Sequence, residues 1–102
     1  MRLMLIRYHS RYSKFIKHLL EEYNIDDYVF TSDVSFLEQH FKATSGHNLL
    51  KSQAWPEGNE IIIKAVEDTV SDEIFDKIVK YKAENNITNK LKILLVPLAK
   101  NG

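Results

Sequence analysis

The spacing of apolar residues along the chain predicts alternating strands and helices. A first strand is expected over residues 2 to 8, where a short apolar run is bounded by polar residues. A helix is expected from Tyr12, because apolar residues then recur every three or four positions. Ser10 or Ser13 is predicted to cap its start, and Asn24 to mark its end.

Three further segments read as strands. Residues 28 to 36 alternate with a period of two, residues 60 to 67 are rich in β-branched side chains, and residues 91 to 98 form a last apolar run. Residues 37 to 58 lose all regular period and are predicted to form a long loop. A loop of this length in so small a protein is seldom without a function.

A second helix is predicted between the last two strands. Ser71 is expected to be its N-cap, because two acidic residues follow and favour the positive end of a helix dipole. The buried stripe of this helix is predicted to consist of Ile74, Phe75, Ile78 and Val79.

The order of these elements predicts the fold. Strand, helix, strand, long loop, strand, helix, strand is the βαββαβ order of an α+β, ferredoxin-like domain. Right-handed crossovers place both helices on one face of a four-stranded antiparallel sheet, and the 102 residues allow one domain, spanning 1–102. The other face stays uncovered, and since its strands are apolar we expect self-association through it.

Composition narrows the classes of function. The 14 basic and 14 acidic side chains cancel, so nucleic acid is not the expected partner. An RNA-recognition sheet is also disfavoured, because residues 61 to 63 are isoleucines instead of stacking aromatics. The first seventeen residues are basic and residues 21 to 38 are acidic, a pattern that solvated surface also produces.

The remaining composition predicts the compartment. The chain has no cysteine, which removes disulfides and thiolate metal sites and fits a reducing compartment. No apolar run approaches the length that spans a bilayer or forms a signal peptide. We therefore expect a cytoplasmic protein without membrane insertion.

The predicted long loop holds the main candidates for ligand or partner contact. His40, His47 and Glu57 lie there. The two histidines are candidate metal ligands, although their spacing matches no tight zinc motif. The alternative is that both histidines are solvated. Trp55 precedes a proline and a glycine, and we expect it to anchor the loop on a neighbouring surface.

A second candidate lies where the first strand meets the first helix. His9, Ser10 and Arg11 stand at this junction, where backbone amides and a helix N-terminus can bind an anion. Simple helix capping is the alternative interpretation. His18 falls on the polar side of the helix and is expected to be exposed.

Catalytic signatures are not evident in the sequence. Ser45, Gly46 and His47 form a loop tripeptide without a nucleophile-elbow context, and no glycine-rich phosphate loop is present. Adjacent acidic residues occur in pairs along the chain, and these pairs are more typical of helix surfaces and turns than of a general acid and base. We therefore do not expect an enzyme.

Several segments together resemble the PII-like (nitrogen-regulatory PII) superfamily, most closely an uncharacterised branch associated with metal efflux. The resemblance covers nearly the whole chain and rests on residues 28 to 32, 49 to 54, 61 to 64 and 94 to 98. It implies a regulatory or sensor protein that forms a homotrimer. Its long loop would respond to a small ligand or divalent metal and would contact a partner, such as a membrane transporter or efflux protein.

The chain also departs from that family. Nucleotide-binding members carry a glycine-rich segment with a basic residue, whereas residues 66 to 72 here are acidic and lack glycine, so a nucleotide is doubtful. A second resemblance, to CutA-like divalent-metal tolerance proteins, rests on Trp55, Glu57, Gly58 and the isoleucine-rich strand. It implies a metal-binding protein as the alternative function.

Overall fold

The computed structural model of the chain describes residues 1–32 and 58–99. These residues form four strands, two α-helices and one 3₁₀ turn. In chain order the elements are β1 (Arg2–His9), the 3₁₀ turn (Ser10–Tyr12), α1 (Ser13–Glu22), β2 (Val29–Thr31), β3 (Asn59–Val66), α2 (Asp68–Glu84) and β4 (Leu91–Pro97). Neither helix is long and apolar enough to cross a membrane, and the same holds throughout the described ranges.

The strands form one antiparallel sheet in the order β2-β3-β1-β4. β1 and β3 lie in the centre and pair along their whole length, from Arg2 opposite Val66 to His9 opposite Asn59. β2 and β4 are the edge strands. The prediction of a four-stranded antiparallel sheet with two helices is confirmed.

The hydrophobic core lies between one face of the sheet and both helices. Alternate residues of β1 (Met4, Ile6 and Tyr8) are fully buried, as the period of two requires. They form one cluster with residues of both helices and the neighbouring strands, namely Ile16, Leu19, Leu20, Ile62, Val66, Ile74, Ile78, Ile87 and Leu91. Both helices therefore pack on the same face.

The start of α1 differs from the prediction that a serine caps it. β1 leads directly into the 3₁₀ turn, so helical geometry begins at Ser10 and the capping position falls on His9. The His9 Nδ1 accepts a hydrogen bond from the Arg11 backbone N–H at 3.0 Å. α1 itself has Tyr12 at its N-cap position, without a side-chain cap.

The start of α2 also differs, because the predicted cap Ser71 lies inside the helix. α2 begins at Asp68, immediately after an extended Glu67, and Asp68 supplies the acidic first turn that the dipole favours. The Ser71 side chain is fully buried and its hydroxyl donates to the Asp68 carbonyl oxygen at 2.8 Å. Because its hydroxyl already has a hydrogen-bond acceptor within the helix, this serine is accommodated in the helix interior and does not have to occupy the N-cap position.

The buried stripe of α2 is narrower than predicted. Ile74 and Ile78 are fully buried, whereas Phe75 is 36% and Val79 is 47% exposed. The stripe follows Ser71, Ile74 and Ile78 at spacings of three and four residues, and each exposed residue lies one position, about 100°, further round the helix.

Both helices end in the same way, at an asparagine followed by an isoleucine. Asn24 (φ 57°) and Asn86 (φ 54°) adopt the left-handed conformation. The next N–H in each case bonds back to a carbonyl of the last turn, from Ile25 to Leu20 and from Ile87 to Lys82, both at 2.9 Å. This is the hydrogen bond of a Schellman motif, and the predicted end at Asn24 is confirmed.

Charge is divided between the two ends of the sheet. The acidic end, where β1 begins, β3 ends and α2 starts, carries Glu21, Glu22, Asp26, Asp27, Glu67, Asp68, Asp72 and Glu73. Basic side chains also lie there: Arg2 forms ion pairs with Asp68 and Asp72, Lys77 pairs with Glu22, and Lys64 stands near the end of β3. A hydrogen bond from the terminal ammonium at 2.9 Å and the charge of Arg2 hold the pKa of Asp68 below its ordinary value.

The basic end is where β1 ends and β4 begins. It carries Arg7, Arg11, Lys14, Lys80, Lys82, Lys90 and Lys92, with His9 among them and Glu60 and Glu84 as its described carboxylates. In residues 1–32 and 58–99, charge is therefore polarised along the direction of the strands.

Candidate functional site

The face of the sheet opposite the helices carries apolar side chains from all four strands. Leu5 in β1 stands opposite Ile63 on one side and Leu94 on the other, and Ile63 in turn stands opposite Val29. These four residues make one continuous row across the sheet, which we call the apolar row. Val29 is 64% and Leu94 57% exposed, so both outer members of the row meet solvent.

Neighbouring rows give this face two different ends. Toward the acidic end, Leu3 stands between Ala65 and Val96, which extends the apolar surface. Toward the basic end, Arg7 stands opposite Ile61 and Lys92. We call the whole surface the open face; its members are Leu3, Leu5, Arg7, Val29, Thr31, Ile61, Ile63, Ala65, Lys92, Leu94 and Val96.

A cavity of about 330 Å³ lies on the open face beside the start of β2. It forms because β2 pairs only with residues Ile61–Ile63, while β3 continues to Val66. Leu3, Ile63 and Ala65 line it together with charged groups, among them Asp27.

The backbone amides of the predicted anion site are already used within the protein. The His9 N–H donates to the Lys90 carbonyl oxygen at 2.9 Å, and the Ser10 N–H to the Gly58 carbonyl oxygen at 2.7 Å. The Arg11 N–H donates to the His9 side chain, as described above. All three amides therefore have acceptors within the protein, and His9 caps the 3₁₀ turn through its Nδ1.

The Arg11 side chain, in contrast, borders open space. A cleft of about 440 Å³ is lined by Arg11, Tyr12 and residues 85 to 90, including Lys90. Partial burial, followed by the charges of Arg11 and Lys90, lowers the pKa of His9, and Glu60 opposes this shift. A neutral His9 agrees with its Nδ1 accepting a hydrogen bond.

Tyr8 lies beneath the same end of the sheet and has a structural role. Its side chain is fully buried, and the pKa of its phenol is raised by burial and by the adjacent Glu60 carboxylate. The phenol therefore stays protonated at physiological pH, and Tyr8 is not available as a general base.

The outer surface of the helices is held by aromatic and ionic pairs. The rings of Phe15 and Tyr81 stack with their centroids 3.7 Å apart and their planes at 9°. The Lys77 Nζ lies 3.0 Å from the Glu22 Oε2, which also ties α2 to α1. His18 is exposed, as predicted, and its Nε2 lies 3.5 Å from the other oxygen of Glu22.

The predicted loop residues His40, His47, Trp55 and Glu57 lie outside the described residues. The metal hypothesis for His40 and His47 therefore stays a prediction. Among residues 1–32 and 58–99, no group of three or more histidines and carboxylates is placed to hold a metal ion.

Comparison with known proteins returned no matching family model, curated protein or solved structure.

Sequence reasoning found the apolar character of the open face but missed its cationic end. Arg7 and Lys92 are far apart in the chain, and only the antiparallel pairing of β1 with β4 brings them opposite each other. The signal was present, because a basic residue near the end of the first strand and another near the start of the last must meet in this topology.

Proposed function

We propose that this protein is a non-enzymatic regulatory or sensor protein of PII-like type, with a ferredoxin-like fold, that works as an assembly of identical chains. The observation that carries the proposal is the apolar row Val29, Ile63, Leu5 and Leu94, which crosses the whole sheet opposite the helices. A continuous apolar surface of this kind on a water-soluble domain marks a contact surface.

A second copy of the same chain suits this surface. One end of the open face carries the cation of Lys92, and the carboxylate of Asp27 lies at the rim of its other end. Opposite charges at the two ends of one surface are complementary between copies, and a contact that joins unlike patches forms a ring where the rotation from copy to copy closes. The PII-like resemblance implies three chains in that ring.

The regulatory part of the proposal rests on the sequence. Residues 37 to 58 follow β2 and carry His40 and His47, and we assign to them the response to a small ligand or divalent metal and the contact with a partner protein. A long segment between two strands of a firm sheet gives a regulator an element that changes shape without unfolding the domain.

Light scattering coupled to size-exclusion chromatography tests the assembly. We expect a mass of at least three times the 11.9 kDa of one chain. Val29→Lys should lower that mass, because it places a charge in the apolar row at a position that is already 64% exposed and so does not disturb folding.

The matched control is Val79→Lys on the outer side of α2. Val79 is 47% exposed, so this variant makes the same chemical change at a similar exposure but away from the open face. It should keep the mass of the unsubstituted protein. A single-chain mass for the unsubstituted protein, or an unchanged mass for Val29→Lys, would contradict the proposal.

A further inference from the structure

The outer edge of β4 presents backbone groups that the sheet does not use. β4 pairs with β1 on one side, and within the described residues no strand pairs with its other side. An unpaired edge offers a row of N–H and C=O groups to another strand.

The pairing register shows which groups point outward. The His9 N–H bonds to the Lys90 carbonyl and the Leu98 N–H to the Met1 carbonyl, so the even-numbered residues of this segment bond to β1. Antiparallel pairs alternate between bonded and non-bonded positions. The N–H and C=O groups of Ile93 and Leu95 therefore point away from β1.

This stretch of edge lacks the usual protection against pairing. Natural edge strands carry lysines, prolines or bulges that discourage another strand. In β4 these devices stand only toward the ends, at Lys92 and Pro97, and the register with β1 runs without a bulge. Between them, residues 93 to 96 are Ile, Leu, Leu and Val, of which Leu94 is 57% and Val96 39% exposed.

We propose that β4 pairs antiparallel with β4 of a second copy about a twofold axis at Leu94, which joins two sheets into one of eight strands. The segment is self-complementary in this register. Ile93 of one copy stands opposite Leu95 of the other, and the outward N–H and C=O groups of these two residues bond to each other. Leu94 of one copy packs against Leu94 of the other. Lys92 stands opposite Val96, so the two lysines do not face each other.

This contact goes beyond the proposed function, since it uses backbone groups at a strand edge instead of side chains on the open face. Its twofold axis runs along the normal of the sheet, toward the surface on which copies meet in the proposed ring. A threefold axis with perpendicular twofold axes is a closed symmetry, so both contacts fit one finite assembly.

Single cysteines test the register, because the chain contains none of its own. Leu94→Cys places two thiols across a non-bonded antiparallel pair, with α-carbons about 4.5 Å apart, within the range of a disulfide. Mild oxidation should convert most of this variant to a covalent dimer, visible on a non-reducing denaturing gel.

Lys92→Cys is the matched control on the same strand and the same face. In the proposed register its two thiols are four residues apart along the strands, about 13 Å, and cannot bond. Disulfides formed by random collision would appear to the same extent in both variants. Equal cross-linking of the two, or none of either, would overturn the pairing.

The unsubstituted protein provides a second measurement, free of any effect of the substitutions. Amide hydrogen exchange of Ile93 and Leu95, followed residue by residue, should slow at least about tenfold as protein concentration rises, because pairing protects these two amides. The amides of Lys92 and Leu94, already bonded to β1, should be protected at all concentrations. An assembly held by the open face alone gives no such dependence, and that result would overturn the inference while leaving the proposed function intact.

Discussion

Gly58 is the residue whose backbone determines how β3 begins. Its φ of 95° lies in the region that side chains disfavour, and a Cβ built there would stand 2.8 Å from the Ser10 Oγ. The Ser10 N–H also donates to the Gly58 carbonyl oxygen at 2.7 Å, so separating the two residues to make room for a Cβ would break this hydrogen bond. A glycine is therefore required here by both conformation and space.

We expect Gly58→Ala to lower the free energy of unfolding by about 1–3 kcal/mol, measured by chemical denaturation. Ser10→Ala removes the clashing oxygen, so the double variant Ser10→Ala with Gly58→Ala should recover part of that loss. The positive φ remains strained in the double variant, and it should stay less stable than Ser10→Ala alone. A double variant no better than Gly58→Ala would contradict the role of the contact.

At the scale of the element, the ends of the two helices depend on one asparagine each. Asn86 has a φ of 54°, which glycine adopts freely and alanine does not. Asn86→Ala should reduce stability by about 1 kcal/mol, whereas Asn86→Gly should be neutral or slightly stabilising, as measured by thermal denaturation.

Asn89→Ala is the control for that pair of variants. Asn89 lies three residues further along the same loop, is exposed, and is not among the described residues with positive φ. Its substitution should leave the melting temperature nearly unchanged. If Asn86→Ala and Asn89→Ala behaved alike, the left-handed cap would not matter.

The elements also show how far the sequence could be read. The helix end at Asn24 and the four strands were accessible, because turn chemistry and apolar period act locally. The sequence did not reveal that Ser71 lies inside α2 or that Phe75 and Val79 are exposed. Both depend on which side of the helix faces the sheet. The pairing of the His9 and Ser10 amides could not be read from the sequence either, because their acceptors, Lys90 and Gly58, come from distant segments.

At the scale of the whole molecule, one face of the sheet stabilises the fold and the other is the proposed contact surface between copies. Ile6 is fully buried under the helices, and Ile6→Ala should cost about 2–5 kcal/mol at any protein concentration. Leu94, 57% exposed on the open face, contributes little to the fold of one chain. Leu94→Ala should change the stability of dilute protein by about 0.5 kcal/mol or less.

The difference between these variants should appear when concentration is varied. Association of folded chains raises the melting temperature with concentration, so the unsubstituted protein and Ile6→Ala should both show that rise in scanning calorimetry. Leu94→Ala should show a weaker rise. A melting temperature of the unsubstituted protein that did not depend on concentration would contradict assembly through either surface.

The separation of charge between the two ends of the sheet has one more consequence. The chain has no net charge near pH 7, but residues 1–32 and 58–99 place most of their carboxylates at one end and most of their cations at the other, which gives this part of the protein a dipole along its strands. In water of low ionic strength such molecules attract each other end to end, with no net repulsion to hold them apart. At about 0.1 M salt the screening length falls to about 10 Å, shorter than the molecule, and the attraction fades. We therefore expect the protein to salt in and to be least soluble in dilute buffer close to neutral pH, which solubility measured against salt concentration would show.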